Sequence, residues 1–417
     1  MILSPLPTNR AKMIPVGVMN DDGSVDGEKN AAILYSSSPL PVLRLLRHYG
    51  GSGTAIRVAG HYRWTSFNLN ETKIIPTGPL DLESVVHWRD YCYDRGISAR
   101  SLQGMGFYLL RSTLAGNMDI DEGITIPINS FPASAHLYAQ EGVYKDVYQS
   151  DIRAAYLSAL VSMSPASYYH RIRRISLREV LTHGDGVFVR CYYRVGSKFD
   201  HDRFGAIAQN GVIPRRWGNN RLLTTDDLRL ILSLGWSVRI IEAWVPAKVY
   251  PSPFSTFGLE VASIRKDPIM GKVAKLASNT VWGSFSAGSR IAYVSFPGGG
   301  LQPKTAFLPP RNKLCPPLAF SVISRLRSRI MVEGMGESTV QAHTDGIISS
   351  YPLHTGDEIG DWRLVGKYDR VHIIRPGCYA VTINGETTYK VAGRTGSDQV
   401  TRQMFRERLM RNADRLE

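Results

Sequence analysis

The spacing of hydrophobic and polar residues changes its rhythm several times along the chain, and each change predicts an element. Between residues 31 and 140, short alternating runs such as TAIRVAGHYRW predict strands, and DLESVVHWRDYCYDRG carries a helical period. VYKDVYQSDIRAAYLSALVSM reads as an apolar strand, then Asp151, then a helix opening behind it. GVFVRCYYR alternates as a strand. TTDDLRLILSLG has a capping signature at Thr225 and Asp226 and a glycine stop, so it predicts a helix, with WSVRIIEAWVP as the strand after it. Residues 255–283 hold two helical patterns broken at Asp267-Pro268. A Gly/Pro-rich excursion leads into an amphipathic helix, LAFSVISRLRSRIMVEG. Strand–turn–strand is expected around VQAHTDGIISS, further strands at VHIIRPGCYAVTI and TTYKVAG, and a basic amphipathic helix in the tail VTRQMFRERLMRNADRLE. Residues 1–30 are rich in Gly, Asp and Asn and show no period. Strands and helices mix without βαβ alternation, which predicts an α+β fold with an antiparallel sheet.

Composition narrows the function classes. A net charge of +14 over 417 residues favours polyanionic partners such as nucleic acid or an acidic membrane surface, or serves only solubility. The N-terminus lacks the charged start and apolar run of a signal peptide, and no apolar stretch of about 18 residues predicts a membrane span. Cys92, Cys191, Cys315 and Cys378 are widely spaced, which argues against a zinc site or a disulfide scaffold and fits a reducing compartment. The expected location is cytoplasmic.

Two aspartates stand out. Asp151 closes a strand-like run, and Asp345 sits in AHTDGIIS, where Gly346 is expected to permit a tight hairpin turn. Carboxylates fixed at strand ends can converge on divalent ions about 3.5–4 Å apart, the arrangement that phosphoryl transfer between nucleotides needs. Each also has an ordinary structural explanation, Asp151 as a helix cap and Asp345 as a turn former. Between them, GKVAKLASNTVWGSF places Lys272, Lys275 and Asn279 near one helix face, suited to a triphosphate or simply solvated.

In this order the pieces resemble the family B DNA polymerases. DIRAAY (Asp151 to Tyr156) is similar to the first palm motif, KLASNTVWG (Lys275 to Gly283) to the fingers motif K-L-x-x-N-S-x-Y-G, and HTDG (His343 to Gly346) to the second palm motif D-T-D-S. WRLVGKYDRVHIIRPGCYAV resembles the region ending in K-x-Y, and YKVAGRT a segment of small protein-primed bacteriophage polymerases. The likeness spans about residues 140–396. It implies a right-hand polymerase palm of antiparallel sheet with flanking helices, short helical fingers and a reduced thumb. The implied activity is template-directed DNA polymerisation with two Mg²⁺ ions, Mn²⁺ being an alternative.

By the same resemblance, Asp151, Asp345 and the Ile152 carbonyl would hold metal, and Tyr156 would act as a steric gate favouring dNTPs. Lys275 and Asn279 would contact the incoming nucleotide, with Lys272, Arg265 and Lys266 as further triphosphate contacts. Trp282, Gly283, Tyr379, Arg375 and Lys390 would contact DNA. His343 and Thr344 are accessory candidates. Departures are plain: His343 replaces the first Asp of D-T-D, Gly346 replaces Ser, and Gly377 stands where K-x-Y has its Lys.

The implied layout is a reduced N-terminal domain (1–140), palm (141–250), fingers (251–288), an insertion-like hairpin (289–317), palm again (318–396) and a thumb remnant (397–417). Asp81-Leu82-Glu83 is a D-x-E that leaves too little room before Asp151 for an exonuclease domain, so no proofreading is expected. Expected partners are primer–template DNA, dNTPs and a priming or processivity protein, with no membrane, for a gene of viral or plasmid origin. The competing class is a polymerase-derived nucleic-acid-binding module without catalysis. A third, an RNA-making or primase-like enzyme, is opposed by Tyr156.

Overall fold

The computed structural model describes residues 2–3, 13, 15–20, 25–28, 33–36, 54–58, 61–65, 73–76, 81–97, 102–114, 118–119, 137–184, 186–194, 218–286, 290–295, 302–307, 316–391 and 407. In chain order, the first strands are Ile2–Leu3 (β1), Val16–Met19 (β2), Val25–Gly27 (β3), Ile33–Ser36 (β4), Thr54–Val58 (β5), His61–Thr65 (β6) and Lys73–Pro76 (β7). Helices Leu82–Asp94 (α1) and Leu102–Ser112 (α2) follow, then Met118–Asp119 (β8), Leu137–Ala139 (β9), Gly142–Ile152 (β10) and helix Ala155–Val161 (α3). The middle holds Ala166–Ile172 (β11), Leu177–Thr182 (α4), Phe188–Arg194 (β12), Gly218–Thr224 (β13), Thr225–Ser233 (α5) and Ser237–Val249 (β14). Then come Ser255–Arg265 (α6), Gly271–Ser286 (α7), Arg290–Ser295 (β15), Gln302–Phe307 (β16) and Pro316–Arg329 (α8). The last strands are Thr339–His343 (β17), Gly346–Ser349 (β18), Trp362–Arg375 (β19), Cys378–Ile383 (β20) and Glu386–Val391 (β21). The chain divides into two compact units: residues 1–125, 160–169 and 246–320, and residues 126–159, 170–245 and 321–417.

The first unit carries an eight-stranded sheet ordered β16-β15-β5-β6-β7-β4-β2-β3. Its β2–β4 and β4–β7 pairs are parallel, a departure from the wholly antiparallel sheet that the sequence suggested. The hairpin of residues 290–307 does not stand alone, because β15 pairs with β5, Tyr293 facing Ile56. Asp81 caps α1 by accepting the Ser84 N–H at 2.7 Å, which accounts for the D-x-E there. The break at Asp267-Pro268 is real: the Asp267 carboxylate accepts the N–H groups of Ile269 and Met270 at 2.8 Å each, just before α7 opens. Along α7, Val273, Ala274, Val281 and Phe285 are buried, and Phe285 meets Phe107 edge-on with centroids 6.0 Å apart.

The second unit holds a seven-stranded antiparallel sheet ordered β21-β20-β19-β10-β18-β17-β9. One core cluster comprises Val147, Val340, Ile348, Tyr368, Val371, Ile373, Tyr379 and Val381. A second packs Ile152, Ala155, Leu326, Ile330, Ala342, Ile347 and Trp362 beneath the end of β10. The β20–β21 hairpin turns at Asn384-Gly385, both at positive φ (50° and 82°), the pairing a tight primed turn demands. A third cluster buries Val189, Cys191, Tyr193, Leu223, Ile231 and Ala243 of β12, β13, α5 and β14, with Trp236 from the turn before β14. The cap of α5 is Thr224, one residue before the expected pair: its hydroxyl accepts the Asp227 N–H at 3.2 Å, while Thr225 already lies in the first turn. Arg327 of α8 and Asp227 form a fully buried ion pair at 3.2 Å.

α8 ends in a π-turn, Ile330–Gly334, where a Cβ on Gly334 would come within 3.1 Å of the Trp362 ring. Cys92, Cys191 and Cys378 are free and buried. No described helix is long and apolar enough to cross a membrane. The basic tail helix predicted over 400–417 lies outside the described residues except for Glu407, and so does Cys315.

Candidate active site

Asp151 is the penultimate residue of β10, where the strand passes between β18 and β19. Residues on a strand point alternately to the two faces, so the burial of Ile152 on one face turns Asp151 to the other. Opposite Asp151 on β18 stands Gly346, and the Ile152 N–H donates to the Asp345 carbonyl at 2.9 Å. Two aspartates 194 positions apart in sequence thus meet at adjacent strand ends.

The turn between β17 and β18 is Thr344-Asp345. Its strained residue is Thr344, at φ 57°, whereas Gly346 has no positive φ. Gly346 therefore serves a different purpose from the one expected: a Cβ there would lie 3.3 Å from the Ser150 carbonyl and 3.4 Å from the Asp151 Cβ, so glycine lets β18 approach β10 closely. The Thr344 hydroxyl donates to Asp345 Oδ1 at 2.8 Å. Burial holds the Asp345 carboxyl above the usual aspartate range; the Thr344 hydrogen bond opposes this, and the charge of Asp151 adds to it.

The partner of Asp151 on its other side is Arg363, which no local pattern singles out. Its guanidinium forks the carboxylate, Nη2 donating to Oδ2 at 2.8 Å and Nε donating to Oδ1. The charge of Asp345 also reaches Arg363. A bulge sets this pairing. Up to Gln149↔Gly366 the register runs evenly, and then β19 spends one extra residue, Val365, before Ser150↔Leu364 and Asp151↔Arg363. Had the register run on, Leu364 would face Asp151.

Around the carboxylates, Tyr156 lies in the first turn of α3 and packs against the Ile152 cluster. Burial, and then the charge of Asp345, push its phenol up to about 12. His343 ends β17 half-buried, and burial lowers its pKa against the pull of Asp345, which favours a neutral imidazole. Ile152 has a buried side chain. The loop after β18 is tied to the end of β10 by Arg153, whose Nε donates to the Gly356 carbonyl at 2.8 Å. Behind it, the Glu333 carboxylate accepts the indole N–H of Trp362 at 2.9 Å and both prongs of Arg329.

Beside Asp151, Lys390 of β21 stands directly opposite Tyr379 of β20, with Nζ 5.7 Å from the Tyr379 ring and 5.9 Å from that of Tyr368. The Gln149 carboxamide oxygen accepts from the Tyr368 hydroxyl at 2.5 Å and from Lys390 at 3.4 Å. Burial lowers the Lys390 pKa, and Asp151 pulls it back up, so this ammonium senses the aspartate. Gly377 sits in the β19–β20 turn at φ 70°, where a lysine would be strained. Arg375 is exposed at the end of β19, opposite Cys378.

The second unit therefore gathers Asp151, Ile152, Tyr156, His343, Thr344, Asp345, Tyr379 and Lys390. Lys272, Lys275 and Asn279 lie exposed on α7 of the first unit, where Lys272 adds to the hydrogen bonds from Ser84 that keep Asp81 ionised. Arg265 ends α6 and Lys266 is its exposed C-cap. Trp282 and Gly283 fall within α7, with side chains outside the described residues.

Two carboxylates and main-chain oxygens are hard donors that suit Mg²⁺ or Mn²⁺, and Mg²⁺ is commonly held by one or two carboxylates, with water and substrate phosphates completing the shell. Asp151 and Asp345 fit that description, although among the described residues no group of three His, Cys, Asp or Glu gathers around a common point.

No family model and no curated protein matches the sequence. The fold does match solved structures. An orthorhombic crystal form of Phi29 DNA polymerase aligns at TM-score 0.60 and 11% identity, covering 91% of this chain and 88% of that one. The same polymerase complexed with primer-template DNA aligns at 0.60 and 10%, and its ternary complex with primer-template DNA and incoming nucleotides at 0.59 and 11%, with the same coverage. The chain thus has a DNA-polymerase-like fold of mixed helices and antiparallel sheet.

Proposed function

We propose that this protein is a template-directed DNA polymerase that adds dNTPs to a primer 3′ end, using divalent ions held by Asp151 and Asp345. The observation that carries the reading is the meeting of Asp151 and Asp345 across β10 and β18, joined by the 2.9 Å Ile152–Asp345 hydrogen bond. Two carboxylates brought to adjacent strand ends, one of them buried, call for positive charge, which Arg363 supplies in part and a divalent ion would supply more fully. The polymerase-like fold supports the same reading.

In the proposed reaction the primer hydroxyl attacks the α-phosphate of the dNTP, a new P–O bond forms, and pyrophosphate leaves. Divalent ions bound by Asp151, Asp345 and the Ile152 carbonyl would supply a lowered hydroxyl pKa and offset the triphosphate charge. The rest falls to the chain. The Tyr156 ring would close off the space beneath the sugar and disfavour a 2′-hydroxyl. Tyr379 and Lys390 would hold the primer strand, with Arg375 at the end of the neighbouring strand β19. Lys275 and Asn279, with Lys272, Arg265 and Lys266, would meet the triphosphate, and Trp282 and Gly283 the nascent pair. The seven-stranded sheet with its flanking helices would be the palm, α6 and α7 the fingers, residues 289–317 an insertion and 397–417 a thumb remnant.

Two observations favour the competing module without catalysis: Arg363 already neutralises Asp151, and His343 stands where a second acid would be. Primer extension with Mg²⁺ and dNTPs separates the two. Extension by the wild type and none by Asp151→Ala or Asp345→Ala is expected; DNA binding with no extension under Mg²⁺ or Mn²⁺ would establish the module instead.

A further inference from the structure

We infer that Arg363 is a built-in competitor of the divalent ion, a tethered cation that holds both oxygens of Asp151 and must swing away before metal binds. This rests on the proposed reading of Asp151 and Asp345 as metal ligands.

Three independent features converge on it. The first is the fork itself, Nη2 to Oδ2 at 2.8 Å and Nε to Oδ1, which occupies both oxygens of the carboxylate with hydrogen bonds aimed along them. The fork takes one lone pair on each oxygen and places a full positive charge against the carboxylate, so a metal ion must compete with it in both geometry and charge. The second is the bulge at Val365. Without it Leu364 would face Asp151, so the backbone departs from regular pairing in the one place that brings a cation to this aspartate. The third is freedom to leave. The Arg363 side chain is 43% exposed while Asp151 is 21% exposed, so the guanidinium already borders solvent into which it can rotate.

Arg363 also feels Asp345, so a single guanidinium serves as counter-charge to the pair. Its loss should have two effects: the carboxylates repel each other more, and they bind a divalent cation more tightly. Arg363 is thus a positioning residue that keeps the two strand ends together and sets the metal concentration at which the site fills. Lys390 does not substitute for it, because its ammonium is placed over Tyr379 and Tyr368 and hydrogen-bonds Gln149.

The test is calorimetric titration of Mn²⁺ into the full chain, without DNA or nucleotide, for wild type, Arg363→Gln and Arg363→Lys, each with and without Asp345→Asn. Arg363→Gln should bind Mn²⁺ about five- to tenfold more tightly than wild type, the range a charge-assisted fork on a partly exposed site can contribute. Arg363→Lys, with a point charge in place of the fork, should fall between them. Asp345→Asn should remove the binding in every background. Equal affinity for wild type and Arg363→Gln, with Asp345-dependent binding intact, would overturn the competition and leave the metal reading standing. Binding indifferent to Asp345→Asn, or absent from all six proteins, would overturn the metal reading and the competition with it.

Discussion

Lys390 and Tyr379 face each other across β21 and β20, with the ammonium 5.7 Å from the ring centroid. The pair lies on the sheet beside the end of β10, because Lys390 also reaches the Gln149 carboxamide two residues before Asp151. With the Tyr379 ring buried in the core and the Lys390 ammonium set over it, the ammonium suits a nucleic-acid phosphate. In the proposed polymerase, Lys390→Ala should weaken primer–template binding several-fold and lower the salt slope of the affinity by about one, the signature of one lost phosphate contact. Fluorescence anisotropy over a salt series reads both. An unchanged slope would remove Lys390 from the DNA contact.

Tyr156 should discriminate between sugars. Its ring is fixed in the first turn of α3 and packed against the Ile152 cluster, so it cannot easily yield. Tyr156→Ala should narrow the preference for dNTP over NTP by about tenfold or more, since a close steric fit is worth that much, while Tyr156→Phe should keep it. Steady-state incorporation of matched dNTP and NTP measures the ratio.

Asp345 should weaken the fold in order to serve the site. Its carboxyl titrates above the usual 3.8, chiefly because it is buried. A folded-state pKa above the unfolded one means that stability is fully present at low pH and is lost as pH rises through the folded value. Asp345→Asn removes that charge. Without added divalent metal it should melt at a higher temperature than wild type at neutral pH, and the gain should vanish in acid. Differential scanning calorimetry at two pH values checks the sign. For the same reason, metal affinity should fall as pH is lowered, beginning above the range of an ordinary aspartate.

Trp362 should anchor the site from beneath. It pairs with Ile152 across β10 and β19, packs against Gly334 and donates its indole N–H to Glu333 at 2.9 Å. Trp362→Ala should cost about 3–5 kcal/mol, as for other large core truncations. Denaturant unfolding would show it.

Much of this was legible in the residues, and the misses have physical causes. The places of Asp151 at a strand end and Asp345 in a tight turn were legible because both are local features, whereas their pairing was suggested only by the resemblance of the motif order. The helix break at Asp267-Pro268 was legible for the same reason. Asn384-Gly385, a strong hairpin signal, could also have located the β20–β21 turn that sets Lys390 opposite Tyr379. Thr224 was missed by one position, since three consecutive capping-competent residues, Thr224, Thr225 and Asp226, look alike until the strand before them is known. The role of Gly346 was misjudged because close approach of a neighbouring strand leaves no local trace. Arg363 had no signal at all: its partner is 212 residues away, and only a bulge decides that it, and not Leu364, faces Asp151. The joining of β15 to β5 is likewise a long-range pairing that no local pattern announces.

The central claim is that Asp151 and Asp345 act together on one metal-dependent transfer. Single-turnover addition of one dNTP to a primer–template, followed across a Mg²⁺ titration for wild type, Asp151→Asn and Asp345→Asn, tests it most directly. The account predicts a saturable Mg²⁺ dependence in the wild type and a loss of at least about a thousandfold in either variant, with DNA binding retained. Extension by either variant at a rate near that of the wild type would contradict it.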